Sequence, residues 1–211
     1  MVDATLSEEE QVEALKKWWK ENGRSVIAGV ILGLGAVFGW RYWVDYQTGI
    51  AQQASVQLVE LNQLVAAGKG DTARDQAKRI IEKFQGTPYA VFAALNLAKL
   101  MQQAGESESA IAQLKWSLEN SSETSLKQIV RARMARIMLS AGKLDEADKV
   151  LASAANDSFR GEFAELKGDI ARARGDKAAA RAAYQEALDN KVSNSAQVQM
   201  KLDDLAPAVN G

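Results

Sequence analysis

The sequence predicts an all-α protein, a single N-terminal transmembrane helix followed by an α-solenoid of about four helical hairpins. Three observations carry that expectation. An uncharged apolar run fills Ser25 to Trp40, and short turns centred on Gly68, Gly105, Gly142 and Gly175 recur between helical patterns. No stretch of useful length alternates apolar and polar residues as a half-buried strand does.

The chain has 211 residues, 47% hydrophobic and 25% charged, which is material for an anchor plus one domain with a sizeable core. From Asp45 onward acidic and basic residues balance, 21 of each, so nothing in the charge points to a nucleic-acid partner. Cysteine and histidine are both absent. That removes disulfides, a lipoprotein anchor, thiol nucleophiles, the usual zinc sites and the commonest acid–base group.

The first six residues read as a tail. Ser7 and Glu10 form a capping box, and Val12, Leu15 and Trp19 follow at helical spacing, with glutamates early and lysines late as the helix dipole favours. A short amphipathic helix is expected from about Glu8 to Glu21, with Asn22-Gly23 as its stop. Such a helix lies on the inner leaflet through Trp18, Trp19 and its lysines, or else docks a cytoplasmic partner.

A helix rises ~1.5 Å per residue, so Ser25 to Trp40 reaches roughly 24 Å and continuation to Val44 roughly the 30 Å of a bilayer core. Trp18 and Trp19 precede the run, while Trp40, Tyr42, Trp43 and Tyr46 gather at its far end, where amphipathic rings favour the headgroup zone. Lys16, Lys17, Lys20 and Arg24 lie before the span, and Arg41 is the one cation from Arg41 to Glu60. The positive-inside rule then places residues 1–24 in the cytoplasm, 25–44 in the lipid bilayer and 45–211 outside the membrane. A cleaved signal peptide would show small residues after the apolar run, whereas this chain continues R-Y-W-V-D-Y.

Within the span, Ala28, Gly29, Gly33, Gly35, Ala36 and Gly39 fall in an arc of roughly 160° at about 100° per residue. Gly29/Gly33 and Gly35/Gly39 are small-xxx-small pairs of the kind that lets a second membrane helix approach closely. The plain alternative is a glycine-tolerant anchor. The same residues spell G-L-G-A-V-F-G, a false echo of a dinucleotide fingerprint that follows no strand.

Beyond the span, Ile50, Ala54, Leu58, Leu61 and Val65 trace one helical stripe. The turn glycines follow at separations of 37, 37 and 33 residues. Seven residues before them stand Ala98, Ala135 and Gly168 in the last three copies, and five after them Ala110, Ala147 and Ala180. Leu114, Leu151 and Tyr184 come four later, then Ser117, Ala154 and Ala187. Small residues recur where two helices of a hairpin must cross closely. This skeleton resembles the tetratricopeptide repeat. The first copy departs from it, with Leu61 where a small residue is expected and Ala77 where a large one is, as a terminal repeat can.

Thr87-Pro88 reads as an N-cap followed by proline at the first helical position, and Asn120 to Ser125 as a second boundary. Asp176 is placed to cap the last hairpin's second helix, and Ser195 to Leu205 to close the stack, with Pro207 as its stop.

No convergent catalytic set is visible. Asp145, Glu146, Asp148, Asp169 and Asp176 sit at turns and helix starts, where capping accounts for them. Lys127, Arg131, Arg133 and Arg136, then Arg172 and Arg174, form the basic groups, expected as a solvated face paired with acids at i, i+4. The residues alone therefore describe a tethered, non-enzymatic protein-interaction module without cofactor or metal.

The combination of E-E-E-Q-V-E-A-L-K-K-W-W-K-E-N-G, G-V-I-L-G-L-G-A-V-F-G-W-R-Y-W and repeats ending in Q-M-K-L-D-D-L resembles the YfgM-like family of ancillary subunits of the bacterial SecYEG translocon. The resemblance implies a single-pass protein of the inner membrane with periplasmic repeats that act with a membrane-anchored PpiD-type chaperone on exported unfolded polypeptides. It also implies a cytoplasmic response regulator as a partner of the N-terminal segment, through Val12, Leu15, Trp18 and Trp19. A scaffold organising another envelope complex is the competing expectation.

Overall fold

The structure, a computed structural model, describes residues 8–152 and 157–205. The tail, the Ser7 cap, Ala154 and the Pro207 stop lie outside the described residues. Contacts divide the chain into residues 1–50 and 51–211. The described residues are helical throughout, with no strand among them.

Helix α1 runs Glu8–Ala66. The expected stop at Asn22-Gly23 is not there. The Asn22 side chain donates to the Trp18 carbonyl at 3.1 Å, and a Cβ on Gly23 would lie 3.3 Å from the Trp19 indole, so both residues are absorbed into the helix. One interior glycine costs a helix only ~1 kcal/mol, less than ending it would where the hydrogen-bond ladder continues on both sides.

From residue 51 onward the end of α1 and eight further helices form the repeats: α2 Gly70–Lys83, α3 Pro88–Gln103, α4 Ser107–Asn120, α5 Thr124–Ser140, α6 Leu144–Ala152, α7 Arg160–Ala173, α8 Lys177–Asp189 and α9 Ser195–Asp203. A short 3-10 turn, Asp157–Phe159, leads into α7. Four hairpins result, each turning at an expected glycine. Gly68, Gly105, Gly142 and Gly175 have φ between 70 and 81°, a region closed to most residues with a Cβ. Each turn closes in the same way: the Gly105 N–H donates to Gln102 and the Glu106 N–H to Met101, both at 2.9 Å, a Schellman motif that satisfies the helix's last carbonyls. A fifth such turn carries Lys191 at φ 55°, with the Val192 N–H on the Ala187 carbonyl.

The remaining boundaries follow the predicted chemistry. Thr87 Oγ1 accepts from the Ala90 N–H at 3.4 Å with Pro88 at the first helical position, and Asp176 accepts from Ala179 at 2.9 Å. Residues 121–123 separate α4 from α5, where Ser121 Oγ accepts the Glu123 N–H.

The small and large positions of the repeat meet inside the hairpins. Ala98, Ala110 and Leu114 are buried in the second, Ala135, Ala147 and Leu151 in the third, and Gly168, Ala180 and Tyr184 in the fourth. Gly168 lies so close to Tyr184 that a Cβ there would be 2.5 Å from the ring. The first copy inverts the pattern, since Leu61 and Ala77 are both fully buried and the large residue has changed helices. Helix α9 closes the stack by burying Val198, with Leu202 and Leu205 packed on the cluster around Tyr184.

Candidate interaction surfaces

In the first unit the segment from Ile27 to Tyr46 exposes an almost wholly apolar surface. Every large hydrophobic side chain from Ile27 to Tyr46 is at least 37% exposed, and α1 is the one helix of the described residues long and apolar enough to cross a membrane. Leaving one such side chain in water rather than an apolar environment costs ~1.5–3 kcal/mol, so a dozen in sequence demand a cover. Trp40 and Trp43 place their rings 5.5 Å apart at the far end of this belt.

The small-face residues Ala28, Gly29, Gly33, Gly35, Ala36 and Gly39 are all exposed on α1, and a Cβ at any of the four glycines would meet nothing within 4 Å. Val12, Leu15, Trp18 and Trp19 are exposed near the helix start, each 49% or more.

In the repeat unit several acidic residues have structural partners. Arg174 bridges Asp145 at 2.7 Å and Asp148 at 2.8 Å, and these hydrogen bonds, Asp148's first, raise its pKa above the ordinary guanidinium value. Lys143 pairs with Glu108, Arg74 with Glu106, Arg136 with Glu162 and Arg160 with Glu186. All of these pairs join residues 26 to 35 positions apart, not i, i+4 neighbours. They join one helix or turn to another, a role that spacing along a single helix does not reveal. Arg131 reaches Gln128 at 3.3 Å and keeps a buried Nε without a partner.

The most buried ion pair among the described residues lies between α7 and α9. Lys201 Nζ donates to Glu165 Oε1 and to both oxygens of Asp169, each at 2.8 Å. Asn194 adds a second donor to Glu165 at 3.0 Å, and the Tyr184 hydroxyl donates to Asp169 at 2.8 Å. Burial first, then the Asp169 hydrogen bond, pushes the Tyr184 phenol well above its ordinary value and holds it protonated. Sequence reading assigned Asp169 to capping. The signal that could have found the network is two carboxylates four apart on the inner side of α7, 32 and 36 residues from one lysine. Both carboxylates of this network are held by donors from their own chain. Among the described residues no cluster of three or more His, Cys, Asp or Glu converges as a metal site would.

A cavity of about 340 Å³ is bordered by α3, α4 and α5. Leu95, Leu114 and Ile137 form its buried floor, and Lys99, Arg133 and Arg136 line it without an acid among them. Pockets of this size with an apolar floor and a few convergent polar groups suit a side chain or a short segment of a partner.

Comparison with known proteins agrees with this architecture. A profile of the tetratricopeptide repeat-like domain family matches residues 16–207. The Haemophilus influenzae protein named ancillary SecYEG translocon subunit is 37% identical, covering 95% of this chain and 98% of its own length. The Escherichia coli protein of the same name is 34% identical over 95% and 97%, and that of Aggregatibacter actinomycetemcomitans 31% over 95% and 98%. A solved structure of Pseudomonas aeruginosa pilF shares the fold, with TM-score 0.61 at 17% identity over 74% of this chain and 69% of that one. With a repeat-like profile over almost the whole chain and full-length relatives of one name, the protein belongs to the YfgM-like family of ancillary SecYEG translocon subunits.

Proposed function

We propose that the chain is a non-enzymatic, single-pass subunit held beside the SecYEG channel in a bacterial inner membrane, with its N-terminus in the cytoplasm and its repeats in the periplasm. The observation that supports it best is the exposed apolar belt of α1, attached in one chain to a series of helical hairpins. Tethering is the mechanism: an anchor confines the repeats near the channel exit and raises the effective concentration of a weak binder for emerging chains. Helical-repeat arrays hold extended peptides or partner helices. In this reading the repeats receive exported polypeptides and a PpiD-type chaperone, and Ala28, Gly29, Gly33, Gly35, Ala36 and Gly39 face a membrane helix of the channel or of that chaperone. The N-terminal residues Val12, Leu15, Trp18 and Trp19 contact the inner leaflet or a cytoplasmic response regulator.

A photoreactive residue introduced at Gly33 or Gly35 tests the assignment in intact membranes. It captures a channel subunit or the chaperone if the proposal is right. Capture of lipid or of a second copy alone sinks it in favour of a scaffold for another envelope complex. Protease added outside spheroplasts should degrade the repeats, and full protection would refute the orientation.

A further inference from the structure

The three junctions between successive first helices of the hairpins can be compared at one register, six residues before one turn glycine and nine before the next. At the first junction these are Asn62 and Asn96, and the Asn96 amide donates to Asn62 Oδ1 at 3.1 Å. At the third they are Arg136 and Leu166; Leu166 is buried, and Arg136 turns to Glu162 at 2.6 Å. At the second they are Lys99 and Arg133.

Both line the 340 Å³ cavity between α3 and α5, both are exposed, and neither has a hydrogen bond or ion pair among the described residues. Two like charges thus occupy the place where one neighbouring junction closes on itself and the other recruits an acid. Like charges at close quarters are unfavourable, and an anion between them reverses the sign. Below them lies the floor of Leu95, Leu114 and Ile137, and Phe92, 39% exposed, stands two turns from Lys99 on the same face of α3. Cations above an apolar floor fit a ligand that carries both characters.

From this we infer that the α3–α5 groove binds an extended polypeptide segment in which an aspartate or glutamate sits beside an apolar residue. The carboxylate lies between Lys99 and Arg133, and the apolar side chain on the floor. Guanidinium and ammonium donors to a carboxylate are charge-assisted and strong for their number. The inference rests on the reading of the repeats as a polypeptide-binding surface and adds the chemistry that they select.

The test uses the full chain in phosphatidylcholine nanodiscs and fluorescence anisotropy of a labelled peptide, Ac-GSELELSG-amide, against its glutamine counterpart, Ac-GSQLQLSG-amide. The acidic peptide should bind about tenfold or more tightly, and the Lys99→Gln/Arg133→Gln variant should remove that preference with its helical circular dichroism unchanged. Should that variant misfold, Lys99→Glu/Arg133→Glu serves instead, with preference switching to Ac-GSKLKLSG-amide. Equal binding of the acidic and glutamine peptides overturns the charge selection and leaves polypeptide binding intact. Failure of every peptide to bind at millimolar concentration overturns both. Displacement of the acidic peptide by inorganic phosphate, but not by acetate at the same ionic strength, would mean a phosphate site and refute the assignment.

Discussion

Replacing Lys201 with methionine keeps the apolar stem of the side chain and removes the charge that three carboxylate oxygens share. Glu165 is 5% exposed and the Asp169 side chain 19%, so neither carboxylate turns freely to water. Removing one partner of a buried ion pair costs ~3–5 kcal/mol, because the other charge is left uncompensated. Here Glu165 keeps the Asn194 amide and Asp169 keeps the Tyr184 hydroxyl, which puts the expected loss near the lower end, about 3 kcal/mol. For a domain of this size that is a fall of roughly 6–12 °C in Tm. The loss should also be local. Helix α9 packs at its end of the stack, so amide hydrogen exchange of full-length Lys201→Met protein in nanodiscs should rise in α9, α8 and α7 and stay near wild type in α3 and α4. Adding Glu165→Gln should recover part of the loss, because a neutral amide no longer needs the ammonium. A single-variant cost below ~1 kcal/mol, or exchange raised evenly along all hairpins, would refute the claim that this buried pair fastens the closing helix.

Gly168→Ala should destabilise by ~1–3 kcal/mol in chemical denaturation, since its Cβ would enter the Tyr184 ring, and Tyr184→Leu in the same chain should restore part of it by recreating the Ala98/Leu114 arrangement. Lys191→Gly should stabilise by ~1 kcal/mol, because glycine adopts the positive φ of that turn without the steric cost a Cβ carries. Tyr184 predicts an alkaline limit. Its folded pKa lies above the unfolded value of 10.0, so its stabilisation is complete below pH 10.0 and is lost as the pH rises from there through the folded value. Stability should fall by up to ~1.4 kcal/mol per pH unit more steeply in the wild type than in Tyr184→Phe, measured by urea titration above pH 10.0.

Most of the repeat architecture is legible in the sequence because it is local. A glycine that must take positive φ leaves a mark at a single position, and the small and large residues around Gly105, Gly142 and Gly175 follow at fixed offsets. The misreadings have physical reasons as well. Asn22-Gly23 has the composition of a helix end, but the ladder of α1 continues on both sides and the Trp19 ring lies over the glycine. Lys191 makes the same turn as the four glycines without the residue that announces it. The pairing of Lys201 with Glu165 and Asp169, and of Lys99 with Arg133 across the groove, joins residues more than thirty apart, which no periodicity along one helix encodes. Of the basic groups expected as a solvated face, Arg136 and Arg174 instead reach acids on other helices, Arg174 two aspartates at once.

The exchange of large and small residues between Leu61/Ala77 and Ala98/Leu114 bears on how the chain assembles as it is made. Were the first hairpin's leading helix to pair with the second hairpin's trailing one, Leu61 would be forced against Leu114, and the orphaned Ala77 and Ala98 would leave a void between them. Repeat proteins are prone to such swaps. The inverted first crossing therefore disfavours that swap between the first two hairpins.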